Sequence, residues 1–562
     1  MRRDPQALHG QSFDVAIVGG GMHGAWVALR AARAGCRVAL LERDDFGSGT
    51  SANSLKILHG GLRYLQNLDL PRMRRSIAAR RAHARWFPHL FEALPCVMPL
   101  QAGGLRSPWL LGPALLANDV IAADRNAGVA PASRLPAGRL LSGARCASEL
   151  ACLVRCQPVA GALWWDGITR DAERLVLEVV LAAARAGAVV ANHASVERIM
   201  HGGGQVHGLA WTDRLTGRSH ELSARSVVNA AGPWAAELAR DSGLPVDALP
   251  AAWTGALNVV LRRPLGNAVA VALTTVQRDA GLDDGARGGT ELLDEDRAPG
   301  ARAARELFFV PWQGRTMIGT EYHPVASVQE GMRGPPEPAV HRFMAQAAAL
   351  APQARIEVAD IARIHWGLLP LRHAGDALPR KSPVLLMDAA QTGAKGLVVV
   401  IGEKLTSAPE VSRVVLRTLV GRAAGSADRG PQDPDRGPGK PEVQQLPEAV
   451  RARLAMRFGR RWTEVALMGI EHGGRSFEQL IAGSPVLQVE LLHAVRAEMA
   501  QNLSDLLRRA GLGQAGHPGA PAIEACAQWV VQHAGWDATC AQREASELDG
   551  WFAACAYSIP CA

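Results

Sequence analysis

Three side chains in the segment TSANSLKILHGGLRYL can act on a small anion: Lys56, His59 and Arg63. They recur every three to four residues, so a helical or turn-like backbone projects them together. Two cations suit a phosphate or carboxylate, and an arginine can bind either through paired hydrogen bonds. The imidazole titrates near neutrality, which makes His59 the candidate base. The competing reading places Lys56 and Arg63 on the surface and His59 in a turn with its hydrogen bonds met. The surrounding chain must decide whether a site exists for these residues to serve.

Residues 14–42, DVAIVGGGMHGAWVALRAARAGCRVALLE, spell strand, glycine turn, helix and second strand ending in an acid. Val15, Ala16, Ile17 and Val18 form an apolar run suited to a strand buried on both faces. Gly19, Gly21 and Gly24 then occupy the GxGxxG positions. Gly19 permits the tight turn, Gly21 admits a pyrophosphate to the backbone, and Gly24 lets the helix over 25–34 pack closely on the strand. The helix N-terminus faces the phosphates. Gly35 ends the helix in a left-handed conformation, and the strand over 36–41 delivers Glu42 to its tip. A carboxylate there can bind both ribose hydroxyls and would repel the 2′-phosphate of NADP. The unit is a dinucleotide-binding βαβ fold, and it implies a redox enzyme.

The chain has 562 residues, too many for one hydrophobic core, and 48% of them are apolar. The composition is globular, with no uninterrupted apolar run long enough to cross a bilayer and no hydrophobic stretch of a secretory signal over 1–13. A cytoplasmic location is the resulting expectation. The nine cysteines are scattered, and the close set Cys146, Cys152 and Cys156 lacks zinc spacing, so no metal is expected. A net charge of +8 favours an anionic substrate, an anionic membrane surface or nucleic acid. The basic helix-like run after Pro71, with Arg72, Arg74, Arg75, Arg80, Arg81 and Arg85, reads first as a solvated face. It carries no interleaved aromatics, which argues against nucleic acid.

Further along, GALWWDG reads as a strand and 171–186 as an amphipathic helix with an acidic first turn. Val189, Val190 and Val196 begin a strand pair, and SVVNAAGPW is a strand running into a glycine turn. Strands near 257–261, 307–310 and 316–320 suit an antiparallel sheet roofing the cofactor. GLVVVIGEKLT is another buried strand with a glycine turn. The polar segment 421–441 is a linker. Beyond it the period is helical, and 487–509 reads as one helix with Leu491, Val495, Met499, Leu503 and Leu506 on one face, ended by Gly511. The expected organisation is a Rossmann-like α/β FAD-binding domain over 13–420 with an antiparallel-sheet substrate region, the linker, and an all-helical domain over 442–562.

On the segments VGGGMHG, TSANSLKILHGGLRYL, VVNAAGPWA, FFVPWQGRTMIGT and VVVIGEKLT, the chain resembles the FAD-dependent glycerol-3-phosphate dehydrogenase family, within the flavoproteins that include D-amino-acid oxidase. HGGLRYL is the specific segment, since generic dinucleotide folds lack it. The resemblance implies that Gly19, Gly21, Gly24 and Glu42 bind the ADP half of FAD, with Thr50, Ser51 and Ser54 along the pyrophosphate and isoalloxazine side. It further implies that Val196 reaches the adenine, that Gly232 lies near the cofactor, and that Gly402, Lys404, Leu405 and Thr406 approach the flavin pyrimidine end. A cation there suits the negative charge of reduced flavin.

The resemblance implies oxidation of a small anionic secondary alcohol by hydride transfer to flavin N5, with electrons passed to quinone. His59 would be the base, Arg63 and Lys56 would hold the anion, and Lys404 would stabilise the reduced flavin. Peripheral contact with the inner membrane face is expected on the same ground, and an oligomer is compatible with the sequence. Departures weaken the substrate assignment. The family arginine of a GVRPL segment corresponds to Leu369, leaving Arg372 as a displaced candidate, and a KGSH segment corresponds to TGAL, with Thr254 and Leu257 at its ends. Glu403 replaces a glycine of the GGKLT turn, and Glu321 with Tyr322 follows Thr320. A flavoenzyme of an amino acid, a 2-hydroxy acid or a specialised metabolite, and a non-catalytic FAD-binding scaffold, stay open.

Overall fold

The computed structural model describes residues 1–62, 64, 68–275, 305–376, 378–421 and 441–554. The expected linker falls almost wholly on residues 422–440, outside the described ones, and so does Arg63. Ten strands carry the functional argument, namely β1 (Ser12–Val18), β2 (Val38–Leu41), β3 (Ile57–Leu58), β4 (Ala160–Thr169) and β5 (Arg218–Asn229), followed by β6 (Trp253–Leu261), β7 (Arg305–Trp312), β8 (Arg315–Val325), β9 (Ile361–Pro370) and β10 (Leu397–Ile401).

The first sheet is the dinucleotide fold. β1 pairs in parallel with β2 on one side and β5 on the other, and β5 pairs in parallel with β10. Helix α1 (Met22–Arg33) returns over this sheet. Val15 and Ile17 of β1, Leu40 of β2 and Val228 of β5 share one core with α1. Ala16 and Val18 belong to the core on the opposite face. A strand buried on both sides needs apolar residues at successive positions, and the run AIV supplies them. Gly35 adopts φ +87° just after α1 ends, so the chain reverses without a Cβ penalty.

The second sheet is largely antiparallel and contains the expected roof, with β6 between β8 and β9, and β7 beside β8. β4 lies in the same sheet and pairs with β3. Helix α2 (Leu70–Trp86) follows β3, helix α3 (Pro108–Ile121) lies beside β4, and helix α4 (Ala172–Arg185) follows β4. Asp171 caps α4 by accepting from the backbone N–H of Arg174 at 2.8 Å. Helix α5 (Ala408–Val420) follows β10 and packs on α1, as does α4.

The C-terminal region is helical, with α6 (Glu448–Phe458), α7 (Trp462–His472), α8 (Gln488–Ala497), α9 (Leu503–Ala510), α10 (Ala520–Ala534) and α11 (Ala538–Ala554). The single helix expected over 487–509 is two helices. Met499 adopts φ +56°, and its carbonyl accepts from the Asn192 side chain at 2.9 Å. Asn502 then caps α9 by accepting from Asp505 N at 2.8 Å. The periodicity continued across the break because both halves bury the same kind of face. Gly511 ends α9 in a left-handed conformation, as expected.

These helices are bolted to the first domain by buried ion pairs. Arg174 and Glu178 of α4 meet Glu498 and Arg461, Arg457 meets Asp171, and Arg509 meets Asp45. Every one of these side chains is at least nine-tenths buried. Buried charges persist only when paired.

Candidate functional site

A cleft of about 2640 Å³ runs between the two sheets, well beyond the few hundred Å³ of an ordinary small-molecule pocket. At its first end stands the glycine turn. Gly19 has φ +101°, and a Cβ on it would sit 2.5 Å from the Ala230 carbonyl oxygen at the end of β5. Gly24 does not line the cleft; a Cβ there would lie 1.9 Å from the Gly19 oxygen, so this glycine serves the packing of helix on turn. Gly21 lines the cleft at the mouth of α1, beside Ser51, whose hydroxyl accepts from Met22 N at 3.0 Å.

Glu42 stands at the tip of β2 and accepts backbone N–H bonds from Gly20 at 2.6 Å and Asp44 at 2.9 Å. Burial outweighs those bonds and pushes its carboxyl up to about 7. Val196 and Gly232 line the same cleft, as do Thr50 and Ser54. Thr50 donates to the Leu368 carbonyl at 3.2 Å, and the Ser54 hydroxyl accepts from Lys56 N at 3.3 Å. The C-terminal helices reach this cleft too, through Asn502, Ser504, Asp505 and Arg508 of the α9 end and Trp551 of α11.

His59 lies just past β3, with its side chain 40% exposed in the cleft. Its Nδ1 is 3.2 Å from Asp166 Oδ2 on β4. Asp166 is buried and also accepts from Gly60 N at 2.6 Å, Arg80 Nη1 at 2.8 Å and Trp164 Nε1 at 3.4 Å. Burial alone would raise its pKa, but the bonds and charges of His59 and Arg80 prevail and hold it at about 2. The His59 backbone N–H donates to Thr406 Oγ1 at 3.2 Å, which ties β3 to the turn after β10.

That turn carries Gly402, Glu403, Lys404, Leu405 and Thr406, all lining the cleft. Gly402 has no room for a side chain, since a Cβ would meet the His23 ring at 2.0 Å. Lys404 donates to the Tyr64 hydroxyl, and its Nζ lies 4.8 Å from the Tyr64 ring centre. Arg72 stacks on the same ring at 5.4 Å and donates to Ser382 at 2.7 Å. Arg372, Arg380 and Lys381 also line the cleft, from the segment after β9. Glu403 is buried, accepts from the Ser407 hydroxyl at 3.2 Å, and has its carboxyl pushed up by burial.

Lys56 and His59 both line the cleft, but not from one helical turn. The backbone between them is the strand β3, paired to Ile168 and Gly167, rather than a helix or helical turn. Lys56 itself turns through φ +65° and buries its amine, which donates to the Ala52 carbonyl and lies 5.8 Å from the Trp312 ring centre. Burial lowers its pKa to about 8, against the pull of Glu173 and Asp171. Thr254 and Leu257 do not line the cleft. Leu257 is fully buried in the core, and β6 presents Ala256 and Asn258 instead. Asn258 Oδ1 accepts from the Thr320 hydroxyl at 2.7 Å. Leu369 lines the cleft, as does Arg372.

The sequence reading passed over Asp166, Arg80, Tyr64 and Asn258. The signal for Asp166 was present in WWDG, where a carboxylate interrupts an otherwise apolar strand and therefore needs partners. Arg80 is one of them, although the helical charge run suggested a solvated residue; it is 5% exposed.

The profile of the family described as FAD dependent oxidoreductase matches residues 14–417, and that described as the C-terminal domain of alpha-glycerophosphate oxidase matches 416–541. The glycerol-3-phosphate dehydrogenase of Synechocystis sp. is 26% identical over 95% of this chain and 95% of its own length. The probable mitochondrial glycerol-3-phosphate dehydrogenase of Caenorhabditis elegans is 30% identical over 71% of this chain and 51% of its own. Among solved structures, the glycerol-3-phosphate dehydrogenase from Bacillus halodurans complexed with FAD superposes with a TM-score of 0.67 at 21% identity, over 97% of this chain and 95% of that one, which is a likeness of fold.

Proposed function

The chain belongs to the FAD-dependent oxidoreductase family, and from that premise we propose that it dehydrogenates a small anionic secondary alcohol, glycerol 3-phosphate or a close relative, and passes the electrons to a quinone. The observation that carries this reading is the imidazole of His59, braced by Asp166 and turned into a cleft that also holds Lys404, Arg372, Arg380 and Lys381. The full-length similarity to a glycerol-3-phosphate dehydrogenase supports the choice of substrate.

The cleft fits FAD. It is long enough for a dinucleotide, its glycine turn leaves backbone bare where phosphates would lie, and Gly19 cannot carry a side chain. Gly19, Gly21, Ser51, Glu42, Val196 and Gly232 would hold the ADP half, and the turn of Gly402, Lys404, Leu405 and Thr406 the flavin end, with Thr50 and Ser54 between. When bound, FAD supplies a two-electron acceptor for the hydride of the alcohol carbon. His59 accepts the hydroxyl proton at Nε2. Lys404 holds a positive charge at the flavin end, and the cleft cations draw in the substrate anion. Arg63 is assigned to that anion on its sequence position alone. The amine of Lys56, engaged by Ala52, is given a scaffold role.

The quinone and a peripheral membrane position draw support from α3. Trp109, Pro113, Leu116 and Val120 recur at helical spacing on its outer face, and Trp109 is 88% exposed. The helix has 14 residues, and no described helix is long and apolar enough to cross a membrane. An exposed apolar stripe with a tryptophan suits the interface of a bilayer, and the exposed Arg139 of the neighbouring strand suits anionic lipid. Leu110 and Leu111 of the same helix line the cleft.

The test is anaerobic addition of glycerol 3-phosphate, then a panel of 2-hydroxy acids and amino acids, to the FAD-loaded protein. Bleaching of the flavin bands by glycerol 3-phosphate is the expected result; bleaching by an amino acid alone would replace this reading with that of an amino-acid flavoenzyme. Flotation with phosphatidylglycerol vesicles tests the membrane position, and W109S/L116S should abolish it without affecting bleaching.

A further inference from the structure

The segment HGG has a structural logic that points past His59 itself. A Cβ on Gly60 would fall 2.1 Å from Arg80 Nη1, and one on Gly167 would fall 2.2 Å from the Phe91 ring. Both glycines adjoin the His59 and Asp166 pair in sequence, Gly60 two residues past the end of β3 and Gly167 on β4 opposite Leu58. Bare backbone at Gly60 lets the Arg80 guanidinium come in from α2 and reach the carboxylate. The same backbone donates Gly60 N–H to Asp166 Oδ1, and Trp164 donates from within β4. Asp166 is thus held by four donors and has no freedom to turn.

We infer that Asp166 is the positioning residue of the site, fixing His59 as the tautomer that is protonated on Nδ1 and bears its lone pair on Nε2, in the cleft. This rests on the reading of His59 as the base. An ionised carboxylate can only accept, so the ring nitrogen that faces it must be the one that carries hydrogen. The other ring nitrogen then points to the opposite edge, where no described residue bonds it and where the cleft lies. In the reaction the substrate O–H bond breaks and its proton bonds to Nε2, the O–H electron pair goes to make the product carbonyl, and the hydride leaves the carbon for the two-electron acceptor that FAD would supply. The resulting imidazolium stands next to an anion already present, so its charge needs no rearrangement of the site.

Arg80 completes the device. It keeps Asp166 ionised, so that the aspartate does not itself take the proton, and its own charge is matched by that carboxylate in a buried setting. The other titratable groups that bear on the pair are Cys96, on the strand Phe91–Leu100, and Arg125, which faces Arg80. The burial-raised Cys96 thiol is neutral near pH 7 and leaves the charge balance to Asp166 and Arg80.

The test compares D166N, H59Q and the double variant as FAD-loaded full-length proteins. Nitrogen NMR with ring-labelled histidine identifies the His59 signal as the one missing from H59Q. In wild type it should report hydrogen on Nδ1, and in D166N the tautomer should shift towards Nε2, because the asparagine amide can donate to Nδ1. Anaerobic flavin reduction by glycerol 3-phosphate should fall by about 100-fold or more in D166N at neutral pH, within the range ascribed to a lost general base. FAD occupancy should stay unchanged. The double variant should be no slower than H59Q, because the two residues act as a unit. D166E should recover part of the rate.

An unchanged tautomer and a D166N rate within about twofold of wild type, beside a slow H59Q, would overturn the positioning role and leave the base assignment standing. A fast H59Q would remove the base assignment itself. Should D166N fail to fold, D166S replaces it. The shorter side chain withdraws the acceptor from Nδ1, and the tautomer and the reduction rate are read in the same way.

Discussion

Glu42 ties cofactor binding to pH. Its carboxyl sits near 7 in the free protein because burial penalises the charge more than two backbone N–H donors relieve it. If ribose hydroxyls donate to that carboxylate, the bound state prefers the ionised form and binding expels a proton. Affinity for FAD then rises with pH up to about 7 and flattens above it. A return of the bound carboxyl to the ordinary value of 4.5 from about 7 sets the ceiling, about 300-fold between acid and neutral solution. Quenching of FAD fluorescence on titration with apoprotein, at several pH values from 5 to 8.5, measures the slope. E42Q should bind FAD more weakly at pH 8 and show no such slope. The same penalty acts on the apoprotein with the opposite sign. A folded pKa above the unfolded one means that stability is lost as pH rises through 4.5 to 7, so apo E42Q should unfold at a higher temperature than wild type above pH 7. A wild-type affinity independent of pH, or a slope that survives in E42Q, would refute the argument.

Further outcomes are expected from the joint, the glycine turn and Lys56. E498Q weakens the joint between α4 and the C-terminal helices by leaving Arg174 and Arg461 short of a partner, at a cost of about 3–5 kcal/mol, read as a lower midpoint of thermal unfolding. The carboxylates of this joint, Glu178 at about 2 among them, are pulled down by arginines despite burial, so their contribution is full above about pH 4.5 and drains away as pH falls towards 2 in acid-unfolding curves. G24A should give colourless protein, because the methyl would meet the Gly19 carbonyl at 1.9 Å, and the flavin absorbance of the purified sample checks it. K56M should keep FAD and leave the substrate KM within about threefold, since an amine held by Ala52 is not offered to substrate. With its folded pKa lowered to about 8, the charged amine opposes folding, so wild-type stability should climb as pH rises from 8 towards 10.5 and K56M should lack that rise.

What was legible in the sequence was what depends on local geometry. Gly24 answers a steric demand set within the turn by the Gly19 carbonyl, Gly19 and Gly21 clear Ala230 and Ser51 from elsewhere, and the GxGxxG spacing reports all three together with the strand, turn and helix around them. The end of a helix was legible for the same reason at Gly511 after α9, while Asp171, read as part of an acidic first turn, is the cap of α4. The failures came where a periodic pattern hid a tertiary demand. The spacing of Lys56 and His59 fits a helix, but pairing with β4 makes a strand there. The heptad-like run over 487–509 hid a break that exists because Met499 serves Asn192 and Glu498 serves Arg174. Arg80 looked like one more solvated cation, and its partner Asp166 lies 86 residues away in sequence.

Cofactor and substrate were unequally readable for a physical reason. A dinucleotide is recognised chiefly by backbone N–H groups and by the absence of side chains, and these are properties of a contiguous stretch. A small substrate is recognised by side chains delivered from separate elements, and the cleft takes its lining from β3, β4, β6, β8, β10 and the segment after β9, whose registers are set by sheet pairing. The departure at Leu257 makes the point. A missing histidine there looked like a lost substrate contact, yet Leu257 faces the core by the alternation of β6, and it is Ala256 and Asn258 that line the cleft. One residue of register exchanges the face of a strand, and no motif reports it. His59 was legible from its motif, whereas its brace was not, although the glycine of HGG marks the bare backbone beside which Arg80 reaches Asp166. Glycines beside polar residues in paired strands are therefore signs of a buried charge network as well as of a turn.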